Sequence, residues 1–213
     1  MLPVLSGCHH REGVSTELLP GGKIPAGSIA VLPFQQITFE DAAIKTARCP
    51  LCGSILRTEK FPQGAEKIIE DIFYGRLKDR GKISLIESDR TDAFFERISA
   101  ESLKKPLPEI LKKVGAELQA EGIIVGYVYR FRERTGYAYS AEKPASVAFD
   151  IHLIRVSDGV TIWRGIFDET QKSLMENLFQ IVPFFKGGGQ WVTAKELATE
   201  GIDELMENFP VAE

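Results

Sequence analysis

The chain has 213 residues, 44% of them hydrophobic, with a formal net charge of −4 and a pI of about 5.6. That is enough apolar material for the core of one domain. The mixed charge excludes the basic stripe with which a dedicated nucleic-acid binder displaces counterions, and no apolar run reaches the roughly 20 residues that cross a bilayer as a helix.

Taken in order, the chain opens on Leu5-Ser6-Gly7-Cys8, which resembles a bacterial lipobox. An aliphatic residue and two small ones fit the narrow groove of the lipoprotein signal peptidase, and the cysteine sulfur then carries a diacylglyceryl group. Cys8 is therefore the expected lipidation site and membrane anchor, with residues 1–8 the remnant of a signal peptide. Such a peptide needs a basic segment and an apolar one of about 7 to 15 residues, so the natural start is expected upstream of Met1. His9 stands where an aspartate is associated with inner-membrane retention, which implies the outer membrane. Residues 9–27 are rich in Gly, Pro and polar side chains and read as a flexible tether. Within it, His9 and His10 could bind a metal, although such a pair is more often a solvated part of a linker.

Residues 28–213 read as one folded domain. Ser28 to Phe34 (SIAVLPF) is a short apolar run, the pattern of a strand buried on both faces. Gln35 to Phe61 is a long connection carrying Cys49-Pro50-Leu51-Cys52-Gly53, which looks like one zinc knuckle. A structural zinc site needs four ligands, and no second C-x-x-C exists. In an oxidising periplasm a disulfide is the economical fate. A disulfide or free thiols is thus the first expectation for Cys49 and Cys52, a bound zinc the second, and redox catalysis the third.

Glu66 to Arg80 has helical spacing. Ile68, Ile69, Ile72, Phe73 and Leu77 share one face, and Glu70, Asp71, Arg76 and Lys78 sit largely away from it. Gly81 stops it. Lys82 to Glu87 (KISLIE) predicts a second strand, Thr91 to Ile98 one or two helical turns, and Glu109 to Ala120 a further helix. From Gly122 the period becomes two. Ile123, Val125, Tyr127, Tyr129 and Phe131 point one way, Arg130 and Arg132 the other. Val147, Phe149, Ile151 and Leu153 then alternate with Ala148, Asp150 and His152. Asp158-Gly159 is a hairpin turn, and Val160 to Phe167 closes three consecutive antiparallel strands with one buried face. Ser173-Leu174-Met175-Glu176 and Thr193-Ala194-Lys195-Glu196 are capping boxes. The second opens a final helix with Leu197, Ala198, Leu205 and Phe209 inward. Between them, Lys186-Gly187-Gly188-Gly189 lacks the lysine and hydroxyl residue of a phosphate loop. It reads as a pliable link exposing Phe184 and Phe185, the candidate partner-binding residues. The expected fold is mixed α+β: one mixed sheet of about five strands, with a closing antiparallel meander and helices packed on it.

The segments SIAVLPF, GAEKIIEDIFYGRL, EGIIVGYVYRFRER and VAFDIHLIRVSDGVTIW resemble periplasmic lipoproteins built on the amino-terminal domain of TolB. That group includes the curli-secretion channel lipoprotein, the penicillin-binding-protein activator lipoproteins and a ring-forming exopolysaccharide-export lipoprotein. The resemblance covers most of the chain from Ser28 to Phe209. It is most specific at Asp158, Gly159 and Trp163, in a D-G-x-x-x-W hairpin. It implies a lipid-anchored periplasmic accessory or scaffold in envelope assembly or export, with an envelope protein or further copies of itself as partner. The CPLCG loop departs from the channel members. Neither insertion, Gln35 to Phe61 or Arg134 to Lys143, alternates as a membrane β-hairpin must.

No catalytic motif competes with that expectation. There is no G-x-S-x-G elbow and no H-E-x-x-H. His152 beside Asp150 could form an oriented general base, but a solvent-facing charged patch on the sheet is the simpler account. The chain reads as a non-enzyme, with no cofactor unless zinc sits at Cys49 and Cys52. The alternative function is metal- or redox-responsive binding through that pair.

Overall fold

The computed structural model describes residues 13–19, 27–39, 41, 43–81, 83–101, 105–137, 140–171 and 192–210. Cys8, His9, His10, Phe184, Phe185, the Ser173 capping box and the Lys186–Gly189 loop lie outside them.

The expected meander is present. Strands β6 (Gly122–Arg132), β9 (Ser146–Arg155) and β10 (Thr161–Thr170) pair antiparallel in sequence order, with a small hairpin of β7 (Thr135–Tyr137) and β8 (Ser140–Lys143) between the first two. Gly159 makes the turn into β10 at φ +77°, where glycine carries no side-chain penalty. The short strands β2 (Ile29–Val31) and β3 (Gln35–Gln36) run parallel to β6 along its other edge. The far edge is β1 (Gly13–Leu18), antiparallel to β10. This corrects the expectation from the sequence, which places these residues in the 9–27 tether. A six-residue edge strand needs one row of hydrogen bonds and little apolar surface. Its polar composition, with Glu17 paired to Arg164, hides it from a reading based on hydrophobic period. The result is a six-stranded mixed sheet, ordered β1-β10-β9-β6-β2 with β3 also on β6.

Among the described residues four helices cover it: α1 (Ala65–Asp79), α2 (Ser88–Glu101), α3 (Leu107–Leu118) and α4 (Ala194–Glu207). The described part of the KISLIE segment, residues 83–87, is not a strand. It makes a single parallel bridge, Leu85 to Ile29, because Ser88 already opens α2. α2 is correspondingly longer than the one or two turns expected. None of these helices is long and apolar enough to cross a membrane.

Helices α1 and α4 pack on one face of the sheet. Phe73, Phe209 and Trp163 meet there edge to face, at centroid distances of 6.0 and 4.8 Å. Trp163 Nε1 donates to Asn208 O at 3.1 Å, so the D-G-x-x-x-W tryptophan locks the end of α4 to β10. Glu70, expected away from the core, is buried. Its carboxylate accepts from Phe34 N–H at 2.9 Å and pairs with Lys67, which compensates its desolvation.

The other face is buried too, under α2, α3 and a small hairpin. The expectation of a solvent-facing side on the meander is therefore wrong. Asp150 and His152 are 0% exposed, and Arg130 5%. A second departure lies in β6, where the pairing with β9 slips between Val128 and Arg130. A β-bulge adds one residue and reverses the faces beyond it. Phe131 consequently joins the α1–α4 core while Tyr127 and Tyr129 stay on the opposite face.

The capping box at α4 is formed as the sequence indicates: Thr193 Oγ1 accepts from Glu196 N–H at 3.2 Å, and Glu196 Oε2 accepts from Thr193 N–H at 2.7 Å. Thr193→Ala is expected to cost about 0.5–2 kcal/mol. Urea denaturation checks this, and an unchanged midpoint would show that the cap contributes nothing.

Candidate functional site

The hairpin over the second face is built by β4 (Thr46–Arg48) and β5 (Ile55–Arg57). Ala47 and Leu56 point down into the core and hold it there. Its turn is the CPLCG segment. Cys49 N–H donates to Ser54 O at 2.8 Å, Gly53 N–H donates to Cys49 O at 3.0 Å, and Gly53 takes φ +74°. This fold-back carries both sulfurs to the sheet side of the loop. Thr58 Oγ1 donates to Ile37 O at 2.8 Å, and Glu59 N–H donates to Tyr129 O at 3.1 Å, tying the hairpin's exit to β3 and β6.

Asp150 and His152 stand below the turn, on the same face of β9 by the period of two. The hairpin and the strand thus bring together two residue pairs about a hundred positions apart. One donor atom from each of Cys49, Cys52, Asp150 and His152 lies within 4.8 Å of all the others. Cys49 Sγ is 3.4 Å from His152 Nε2, and His152 Nε2 is 3.3 Å from Asp150 Oδ1. Both thiols are free. The Leu51 and Cys52 backbone N–H groups each donate to Cys49 Sγ at 3.4 Å, and Cys52 Sγ lies 3.2 Å from Ser54 Oγ. From below, Tyr129 Oη donates to Asp150 Oδ2 at 2.8 Å. The other carboxylate oxygen, Asp150 Oδ1, has no hydrogen-bond partner.

The groups are electrically coupled. The hydrogen bond with Cys49 draws the Cys52 thiol down to about 3 against the opposing effect of burial. The same bond, with burial and the Asp150 carboxylate, pushes Cys49 up. Burial pulls the His152 imidazole down, but Asp150 and the Cys52 sulfur outweigh it and raise it to about 9. Burial, then Asp150, also raises the Tyr129 phenol, which keeps it a hydrogen-bond donor.

Beside this cluster lies a second polar group on the same face. Arg130 Nη2 pairs with Asp168 Oδ1 at 2.5 Å, its Nε donates to Ser146 Oγ at 2.6 Å, and its Nη1 donates to Arg57 O at 3.1 Å. Arg130 therefore joins β6, β9, β10 and the hairpin through one guanidinium, whose planar fork suits several acceptors at once.

No family model matches this chain, and no curated protein matches it. A solved structure does. The chain shares its fold with PelC. A PelC dodecamer from Paraburkholderia phytofirmans aligns over 93% of this chain and 99% of the PelC chain, with 15% identity and a TM-score of 0.52. Two more distant matches are lipoprotein GNA1162 from Neisseria meningitidis and the LpoB carboxy-terminal domain from Salmonella enterica. The first has 12% identity, covers 76% of this chain and 99% of that one, and has a TM-score of 0.42. The second has 12% identity, covers 70% and 86%, and has a TM-score of 0.37.

The structure brings Cys49 and Cys52 to the His152–Asp150 pair, two candidates that sequence reasoning had considered separately. Tyr129 was assigned only to packing, and Arg130 to an exposed face. Removing the hydroxyl in Tyr129→Phe strips the buried Asp150 Oδ2 of its donor. This is expected to cost about 1–3 kcal/mol, read as a lower urea midpoint with an unchanged slope. An unaffected midpoint would mean that Tyr129 does not hold the carboxylate.

Proposed function

We propose that this chain is a lipid-anchored lipoprotein of the outer membrane's periplasmic face, whose folded domain serves as an accessory or scaffold in cell-envelope assembly or export. It works by contact with an envelope protein or with further copies of itself. The observation that carries this reading is the fold shared with PelC over nearly the whole of both chains. The PelC structure is a dodecamer, which supports ring formation as the mode of self-assembly here. The lipobox at Cys8 supports the anchor, and the likeness of the segments between Ser28 and Phe209 to TolB-type lipoproteins belongs to the same reading. Tyr129, Asp150, His152 and Arg130 are spent on closing the sheet's second face. Their burial supports a non-catalytic role, since a catalytic group must be reachable by its substrate.

The test is metabolic labelling with palmitate in a Gram-negative host, using the gene in its native genomic context and a Cys8→Ala counterpart. The wild type is expected to take up label and fractionate with the outer membrane, and the variant to do neither. A wild type that is soluble, unlabelled and indistinguishable from Cys8→Ala would overturn the anchor and the envelope role with it. Native mass spectrometry of the folded domain checks the ring. Assemblies of defined order are expected, and a monomer at every concentration would leave only the envelope-protein partner.

A further inference from the structure

We propose that Cys49, Cys52, Asp150 and His152 form a closed tetrahedral site for zinc, which clips the β4–β5 hairpin to the sheet. The donor set suits the ion: zinc takes thiolate, imidazole and carboxylate together, whereas calcium and magnesium require oxygen ligands alone.

The spacing suits it as well. With zinc–sulfur bonds of about 2.3 Å and zinc–nitrogen or zinc–oxygen bonds of about 2.0–2.1 Å, a tetrahedron has S···N edges of about 3.5 Å and N···O edges of about 3.3 Å. The corresponding distances here are 3.4 Å from Cys49 Sγ to His152 Nε2 and 3.3 Å from His152 Nε2 to Asp150 Oδ1.

Independent observations point to a ligand at the same place. Asp150 is 0% exposed, and Asp150 Oδ1 makes no hydrogen bond. Its charged neighbour, His152 Nε2 at 3.3 Å, makes no hydrogen bond with it, which is costly for a buried carboxylate oxygen, and a cation between the two removes the cost. Its other oxygen is held by Tyr129, the outer-shell hydrogen bond that orients a carboxylate ligand. The backbone N–H groups of Leu51 and Cys52 converge on Cys49 Sγ, as suits a metal-bound thiolate better than a neutral thiol, which is a weak acceptor. Charge is nearly balanced. Two thiolates, one carboxylate and a neutral imidazole bring −3, which zinc reduces to −1. Arg164, opposite His152 in the strand pairing, is already matched by Glu17, so the site keeps that single negative charge.

All four positions are filled by protein, and three of the four ligands are buried. No coordination site is left for water or substrate, so the ion is structural. The missing second C-x-x-C is replaced by two residues of one strand, two positions apart. Because the two cysteines and the strand come from distant parts of the chain, binding closes a long loop and couples metal to folding.

The full chain, purified under reducing conditions from zinc-supplemented cells, is the sample. Elemental analysis is expected to find one zinc per chain. Exchange to cobalt(II) is expected to give the sulfur-to-cobalt charge-transfer band and the intense visible bands of a tetrahedral thiolate site. Cys52→Ser changes a half-buried sulfur to oxygen. It is expected to lose the zinc and that charge-transfer intensity and to melt at a lower temperature, as is the wild type after chelation. Substoichiometric zinc together with a cobalt complex lacking the charge-transfer band would overturn the site. So would a Cys49–Cys52 disulfide that, once reduced, takes up no metal, or a Cys52→Ser variant that keeps its zinc. Should Cys52→Ser fail to fold, the cobalt spectrum of the wild type decides alone. These outcomes do not depend on acylation of Cys8, so the site and the envelope role fail separately.

Discussion

The structure depends on one constraint: the central strand β9 is buried on both faces while carrying an aspartate and a histidine on one of them. A sheet with one wet face would let Asp150 and His152 remain hydrated. Here α2, α3 and the β4–β5 hairpin cover that face, so its polar atoms depend on partners within the protein or on an ion, and His152 Nδ1 and Asp150 Oδ1 are buried without a hydrogen bond. The opposite face makes no such demand. Phe73, Phe149, Phe167, Trp163 and Phe209 fill it with apolar surface, which stabilises the domain without saying where a small hairpin should sit. The two faces thus divide the work between stability and placement.

Placement is achieved at two points on the polar face. One is the Arg130 guanidinium, which reaches Asp168, Ser146 and the carbonyl of Arg57. A buried ion pair of this kind contributes little net stability against a well-packed apolar pair, yet losing one partner is expensive. The pair itself lies within the sheet; a misplaced hairpin would instead leave the buried guanidinium without the Arg57 carbonyl that Nη1 donates to. The other point is the cluster of Cys49, Cys52, Asp150 and His152, with Tyr129 beneath it. Both depend on the β-bulge between Val128 and Arg130. Without the added residue, Tyr129 and Arg130 would point to opposite faces, and only one of the two could meet the hairpin.

The parts of this fold legible in the sequence are those governed by local rules. Alternation from Ile123 to Phe167, the Asp158-Gly159 turn, the amphipathic spacing of Ile69, Phe73 and Leu77, and the Thr193 capping box each fix an element within a few residues of itself. What was not legible depends on distant partners. β1 has no hydrophobic period and becomes a strand only because β10 offers a free edge. Arg130 looks exposed because alternation cannot reveal a bulge. Cys49 and Cys52 were recognised as half of a metal motif, and Asp150 with His152 as a possible functional pair. Nothing in the residues themselves indicates that a loop near position 50 folds over a strand near 150. Their meeting is a property of the topology, in which the long connection after β3 returns across β6 before α1 begins.

This arrangement bears on how an assembly role and a zinc site would fit together. A closed four-ligand site offers no open coordination position and so no chemistry to a substrate. It instead removes conformational freedom from a short hairpin of six paired residues, adding to the core contacts of Ala47 and Leu56 that already seat it. The hairpin's outer side carries Ile55, and Phe39 and Ile44 on the connection leading to it are also exposed. Holding such side chains in place before contact lowers the ordering cost that association must otherwise meet. A protein that works by touching its neighbours gains from a rigid edge, whereas an enzyme would gain from an accessible one. On this argument the buried polar cluster and the non-catalytic reading of the fold support each other, although they are tested separately.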